Sequence, residues 1–130
     1  MIVDSSAIIA ILESEPEADA MQKALERTPS RTISAVSYVE TAIVIDSRRD
    51  PVLSHGFDNF LFETRIRIES VTPEQARLAR EAYRDFGKGR HRAGLNLGDC
   101  FSYALAKHKR EPLLCKGDDF RKTDVEVAEY

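Results

Sequence analysis

Cysteine is scarce in this chain: Cys100 and Cys115 are the only two, and their spacing matches neither a zinc site nor a redox pair. Reduced, buried thiols are therefore expected rather than a bridge. Aromatic residues reach only 8%, and no strand-like stretch is rich in them, which argues against a sheet that stacks exposed bases. No apolar run approaches the length needed to span a bilayer, and no basic, apolar leader precedes the first strand-like segment. A soluble, cytoplasmic protein is expected. Basic excess is lacking too: the formal charge is −3, which argues against binding nucleic acid through net charge alone. Low-complexity tracts and internal repeats are absent.

What is present is ordinary globular material. The 130 residues are 42% hydrophobic and 32% charged, with 6 Gly and 5 Pro, enough for one domain over residues 1–130 with a sizeable core. The chain opens on Met1-Ile2-Val3-Asp4-Ser5-Ser6, a β-branched run that stops at an acid. The run Ala7 to Leu12 that follows is apolar on every side, as in a helix packed within a core. Asp4 thus stands at a strand-to-helix turn, on the edge where ligands gather in parallel sheets.

Further along, Ala18, Met21, Ala24 and Leu25 recur at helical spacing, and Arg31 to Ile33 reads as a second strand. Ser34 is placed to cap a third helix, Ala35 to Arg48, whose buried stripe is expected to be Val36, Val39, Ile43 and Val44 with Glu40 beside it. Asp50-Pro51 starts a fourth helix, and Ile66 to Ser70 alternates like a strand. Thr72-Pro73-Glu74-Gln75 opens a fifth, with Ala76, Ala79, Ala82, Tyr83 and Phe86 as its expected stripe and Gly87 at its end. A basic loop, Lys88 to Asn96, is expected to be exposed and mobile; Asn96 then caps a last helix with Asp99 in its first turn. Pro112 to Cys115 makes a short buried strand that turns out at Gly117-Asp118-Asp119-Phe120, and Val125 to Val127 is a candidate final strand.

Strands alternating with helices predict parallel βαβ units, hence an α/β fold: a three-layer α/β/α sandwich around a mostly parallel sheet of four to five strands. Right-handed crossovers place the strand-end turns on one rim. Asp4, Asp99 and the Asp118-Asp119 pair fall there, and Glu40 can reach it. Singly, each acid also has a structural reading: a cap at Asp4, a capping box at Glu40, dipole complementarity at Asp99 and a turn at Asp118-Asp119. Together they pose an electrostatic problem, because carboxylates that close cannot all stay ionised. A hard divalent cation resolves it, and an all-oxygen set suits Mg²⁺ or Mn²⁺ better than zinc. Such ions activate water for attack on phosphorus, so no nucleophilic side chain is needed. Setting four such acids aside turns the formal −3 into +1, with bases clustered at Arg84 to Arg92, Lys107 to Arg110 and Lys116 to Lys122.

Met1-Ile2-Val3-Asp4-Ser5-Ser6, Glu40, Leu95-Asn96-Leu97-Gly98-Asp99-Cys100 and Leu113 to Phe120, in that order, resemble a PIN-domain ribonuclease. More narrowly they resemble the VapC toxins of bacterial VapBC toxin–antitoxin modules. The resemblance covers essentially the whole chain. It implies a Mg²⁺-dependent endoribonuclease, with Mn²⁺ able to substitute, that cuts structured RNA such as transfer or ribosomal RNA. It also implies inhibition by a VapB-type antitoxin and a homodimer, for which the apolar first helix is a candidate surface. By the same resemblance Asp4, Glu40, Asp99 and one acid of the Gly117–Phe120 turn hold the metal; Asp118 is favoured, with Asp119 the alternative. Ser6 matches the small hydroxyl residue that supports the first Asp. Lys88, Arg90, Arg92 and Lys116 are the candidate contacts to the RNA backbone.

Two rivals differ in kind. A phosphotransferase of the haloacid-dehalogenase type needs a second acid two positions after the first, where this chain has Ser6. A PIN-like module that binds RNA or antitoxin without cutting is disfavoured by the presence of all the acids.

Overall fold

The computed structural model describes residues 1–130. Its sheet has four strands in the order β3-β2-β1-β4, formed by Ile2–Val3 (β1), Arg31–Ser34 (β2), Ile66–Glu69 (β3) and Leu113–Leu114 (β4). Every pairing is parallel. The expected final strand is reduced to a single bridge between Leu113 and Val127. The chain runs outward from β1 through β2 to β3, then returns to place β4 on the other side of β1. That reversal opens a crevice at the carboxyl ends of β1 and β4, the position at which open parallel sheets bind ligands.

Each short strand serves both faces because successive side chains point oppositely. Ile2 and Leu113 are fully buried against α5 (Pro73–Phe86) and α6 (Leu97–Lys109), together with Ala79, Ala82, Ala104 and Leu105. Val3 and Leu114 are fully buried on the opposite face, among Ile8, Met21, Leu25, Ile45 and Phe57 from α1 (Ser5–Leu12), α2 (Ala18–Glu26), α3 (Ala35–Ser47) and α4 (Pro51–Glu63). Two apolar layers therefore flank the sheet, the three-layer arrangement that βαβ alternation predicts. Burying each of these aliphatic side chains is worth about 1.5–3 kcal/mol, so a two-residue strand is held by its faces more than by its ladder.

The helix starts follow local chemistry. The hydroxyl of Ser34 accepts from the Val36 amide, Asp50 accepts from the amides of Val52 and Leu53, and Thr72 accepts from the Gln75 amide. The α3 helix turns a different face inward from the one its apolar residues predict, and α5 buries only part of its expected stripe. In α3 the buried positions are Ser37, Thr41 and Ile45, while Val39 and Ile43 are 51% and 64% exposed. The buried hydroxyls are satisfied: Ser37 pairs with Ser102 at 2.9 Å, and Thr41 donates to the Ser37 carbonyl at 2.7 Å. Hydrogen bonding removes the penalty that would otherwise keep this polar face in water. In α5 the inward stripe runs through Gln75, Ala79 and Ala82, leaving Ala76 and Tyr83 exposed.

The basic loop is also better ordered than expected. Phe86 and Gly87 carbonyls accept from Leu95, Arg90 and His91, and Ala93 and Leu95 are buried. The His91 ring meets Phe86 edge-on at 5.2 Å. The side chains of Lys88, Arg90 and Arg92 are exposed.

Candidate metal centre at the carboxyl edge of the sheet

Asp4 follows β1 and caps α1. It is 2% exposed, yet its carboxylate is well supplied with donors. Oδ2 accepts from the Ser6 amide at 3.0 Å and the Ser6 hydroxyl at 2.6 Å, and Oδ1 accepts from the Ser102 hydroxyl at 2.6 Å. Ser6 is itself held by the Lys116 amide at 3.0 Å, which ties the end of β4 to the end of β1. Ser6 thus links the Asp4 carboxylate to the start of the turn after β4.

Glu40 comes in from α3, and the Ser5 hydroxyl donates to its Oε1 at 2.5 Å. The carboxylate lies over Gly98, where a Cβ would collide with it. Asp99 sits one residue beyond, locked in a reciprocal capping box: its amide donates to Asn96 Oδ1 at 2.8 Å, and the Asn96 amide donates to its Oδ2 at 2.9 Å. The capping role read for Asp99 is thus present, and it leaves Oδ1 of the carboxylate outside the box.

The cluster shows itself in the field that Asp99 feels. Its carboxyl is raised to about 6, chiefly by burial, with the charges of Asp4, Glu40 and Asp119 adding to the rise and its backbone hydrogen bond opposing it. The charges of three other acids are thus felt at Asp99. The turn after β4 contributes through Asp119 rather than Asp118. Asp118 is instead more exposed and lies 4.0 Å from the Arg121 guanidinium, and its charge is felt at Tyr130, near the end of the chain. The carboxylates do not close into a ready-made cluster of three or more ligands. Nevertheless, the donor set is all oxygen and includes the buried Asp4, which suits a hard divalent cation, although Asp119 is exposed and lies 3.4 Å from the Lys122 ammonium.

Of the candidate RNA contacts, Lys88, Arg90 and Arg92 are exposed on the loop between α5 and α6 and join no ion pair within 4 Å. Lys116 differs. Its backbone is at the centre of the site, but its ammonium pairs with Glu15 and lies 3.5 Å from Glu17. The two thiols are free and buried, Cys100 pushed up to about 11 and Cys115 to about 12, chiefly by burial, so both are unreactive.

Ser5, Ser37, Gly98 and Ser102 contact the candidate acids or their partners, a role that sequence reasoning did not assign to them. Ser102 was the most accessible of these, three residues after Asp99 and hence on the same side of α6.

Known proteins share the sequence and the fold. A PIN-domain family model matches residues 1–126. Ribonuclease VapC28 of Mycobacterium tuberculosis is 57% identical over 129 residues, covering 98% of this chain and 97% of that protein. The chain belongs to the PIN-domain family, among the VapC ribonucleases. Ribonuclease VapC of Mycolicibacterium smegmatis is 52% identical over 125 residues, 96% of this chain and 97% of its own. The PIN fold recurs in the Mycobacterium tuberculosis sarcin-ricin loop cleaving toxin VapC20, with a TM-score of 0.78 at 16% identity over 98% of this chain and 97% of that one. It recurs again in VapBC2 from Rickettsia felis bound to a promoter DNA fragment, with a TM-score of 0.75 at 11% identity over 98% and 96%. PIN-domain ribonucleases generally depend on a divalent metal, which is the kind of ion the carboxylates around Asp99 suit. No helix of the PIN domain is long and apolar enough to cross a membrane.

Proposed function

We propose that this protein is a Mg²⁺-dependent endoribonuclease toxin, with Mn²⁺ able to substitute, that hydrolyses phosphodiester bonds in structured RNA. The observation that carries this reading is that the Glu40 carboxylate lies against Gly98, beside Asp99, while Ser102, three residues further along the same helix, donates to the buried Asp4, which brings three acids from three elements to one edge of the sheet. Asp4 and Asp99 are the principal ligands, with Glu40 and Asp119 completing the set. Asp119 replaces Asp118 as the favoured fourth acid, because its charge reaches Asp99. When bound, the cation supplies an activated water and stabilises the charge developing on the phosphate.

The chain's own residues do the remaining work. Ser6 and Ser102 hold the Asp4 carboxylate in one orientation, and the Asn96 backbone amide does the same for the Asp99 carboxylate. Lys88, Arg90 and Arg92 attract the RNA backbone, leaving choice among RNAs to their shape. A transfer or ribosomal RNA in the cytoplasm is the substrate class, and a VapB-type antitoxin is the inhibitory partner. The homodimer uses α3 and Leu97, where Val39 and Ile43 stand exposed, rather than α1. In α1, Ile9, Ile11 and Leu12 already pack against the core.

The test is cleavage of total RNA by antitoxin-free protein in Mg²⁺, Mn²⁺ or EDTA, beside folded Asp4→Asn and Asp99→Asn variants. Metal-dependent cutting lost in both variants is expected. Cutting that survives EDTA and both substitutions would sink the site. RNA and Mn²⁺ binding without cutting would replace the enzyme with a binding module.

A further inference from the structure

A carboxylate offers about four lone-pair directions, two on each oxygen. At Asp4 three of them are taken. Oδ2 accepts twice from Ser6, through its amide at 3.0 Å and its hydroxyl at 2.6 Å, while Oδ1 accepts once, from Ser102 at 2.6 Å. Only Oδ1 keeps a free direction. We propose that Asp4 ligates the metal through Oδ1 alone, and that Ser102 and Ser37 are positioning residues that fix that oxygen. This inference rests on the metal-dependent reading above and extends it to two serines outside the acid set.

The direction of the relay follows from its end. A carboxylate only accepts, so the Ser102 hydroxyl spends its one proton on Asp4 Oδ1. Its remaining contact, 2.9 Å from Ser37 Oγ, must therefore be one in which Ser37 donates. Ser37 and Ser102 are both fully buried, on α3 and α6, so water cannot substitute for either. The chain Ser37 to Ser102 to Asp4 joins the two helices that also deliver Glu40 and Asp99. Such outer partners typically contribute about 10–100-fold to metal affinity by holding the ligand in place.

The relay is tested by Mn²⁺ binding, read from the electron paramagnetic resonance signal of free Mn²⁺ at fixed pH and salt. Wild type, Ser102→Ala, Ser37→Ala, the double variant and Asp4→Asn are compared, each with its thermal melt. The expected result is loss of affinity by about tenfold or more in Ser102→Ala and a smaller loss in Ser37→Ala. The double variant should be no weaker than Ser102→Ala, because a relay already broken at Ser102 has nothing for Ser37 to orient. Losses that multiply in the double variant, or a Ser102→Ala affinity within about twofold of wild type (well below the usual effect of an outer partner), overturn the relay. Asp4→Asn separates the two levels of failure: if it binds Mn²⁺ like wild type, the metal site itself is wrong, and the relay falls with it. Should Ser102→Ala fail to fold, Ser37→Ala decides, since unchanged affinity there overturns the proposal and reduced affinity supports it.

Discussion

Gly98 leaves no room for even a methyl group beneath the carboxylate of Glu40. The two residues come from different helices, and the missing side chain on α6 is what lets the acid of α3 approach Asp99. The clash would fall on the flexible end of Glu40, not on backbone. Gly98→Ala should therefore leave the melting temperature unchanged or slightly higher, since alanine gains up to about 1 kcal/mol over glycine in a helix. Metal affinity and RNA cleavage should fall by about tenfold or more, the scale seen when metal ligands are misplaced. Full activity in a folded Gly98→Ala protein would remove Glu40 from the site.

Asp99 supplies a pH signature. Its carboxyl is raised from 3.8 to about 6, so the folded, metal-free protein holds this proton more tightly than the unfolded chain does. The sign follows: the stability contributed by this group is full below about pH 4 and is lost as pH rises through about 6. In EDTA, wild type should lose melting temperature between pH 5 and 7.5 relative to Asp99→Asn, which cannot titrate. Mg²⁺ should reverse the trend, and its affinity should weaken by about tenfold at pH 5, because the ligand must give up a proton to bind. Parallel pH profiles in the two proteins would contradict this.

The neighbouring acids of the Gly117–Phe120 turn separate cleanly. The charge of Asp119 reaches Asp99 although Asp119 also pairs with Lys122 at 3.4 Å, whereas Asp118 lies 4.0 Å from Arg121 and its charge is felt at the chain end. Asp119→Asn should reduce cleavage by about tenfold or more, within the range for a displaced metal partner, and Asp118→Asn by less than about threefold. The opposite ranking in a cleavage assay would restore Asp118 as the fourth acid.

What was legible in the sequence was mostly local. Ser34, Thr72 and Asn96 are caps because their short oxygens reach amides two or three residues on, and no tertiary information is needed to see that. Asp4 was legible as the end of a buried strand, and strand–helix alternation implied the parallel sheet. The inward face of α3 was not legible, because Ser37 and Thr41 look polar until Ser102, 65 positions from Ser37, supplies a partner. Lys116 illustrates the same limit. Its charge reads as free along the chain, but Glu15 and Glu17 meet it only in three dimensions. The choice between Asp118 and Asp119 depends on how one turn points, which composition does not encode.

Arg90 and Arg92 extend from an anchored loop without acidic partners, whereas Lys116 is already paired. Replacing both arginines by alanine should weaken RNA binding and flatten its salt dependence by roughly 0.7–0.9 for each phosphate that is no longer neutralised. Lys116→Ala should change that slope little. A filter-binding series across salt concentrations distinguishes the cases, and an unchanged slope in the double arginine variant would move the RNA path off this loop.

Val39, Ile43 and Leu97 are 51%, 64% and 71% exposed and, with Val36 and Val44, line one groove between α3 and the start of α6. A contiguous apolar surface of this kind is costly in water and marks an interface. A second copy of the chain is the proposed occupant, because the groove also includes Glu40 and Gly98, so pairing would bring the rims of two sites together. Ile43→Asp would then place a charge in a desolvated contact, a cost of several kcal/mol, while leaving the monomer fold intact because the side chain faces solvent. Sedimentation should show a dimer for wild type and a monomer for Ile43→Asp, with the melting temperature of the variant independent of a partner copy and hence of protein concentration. A wild-type monomer at micromolar concentration, or an Ile43→Asp dimer, would assign the groove to something other than self-association.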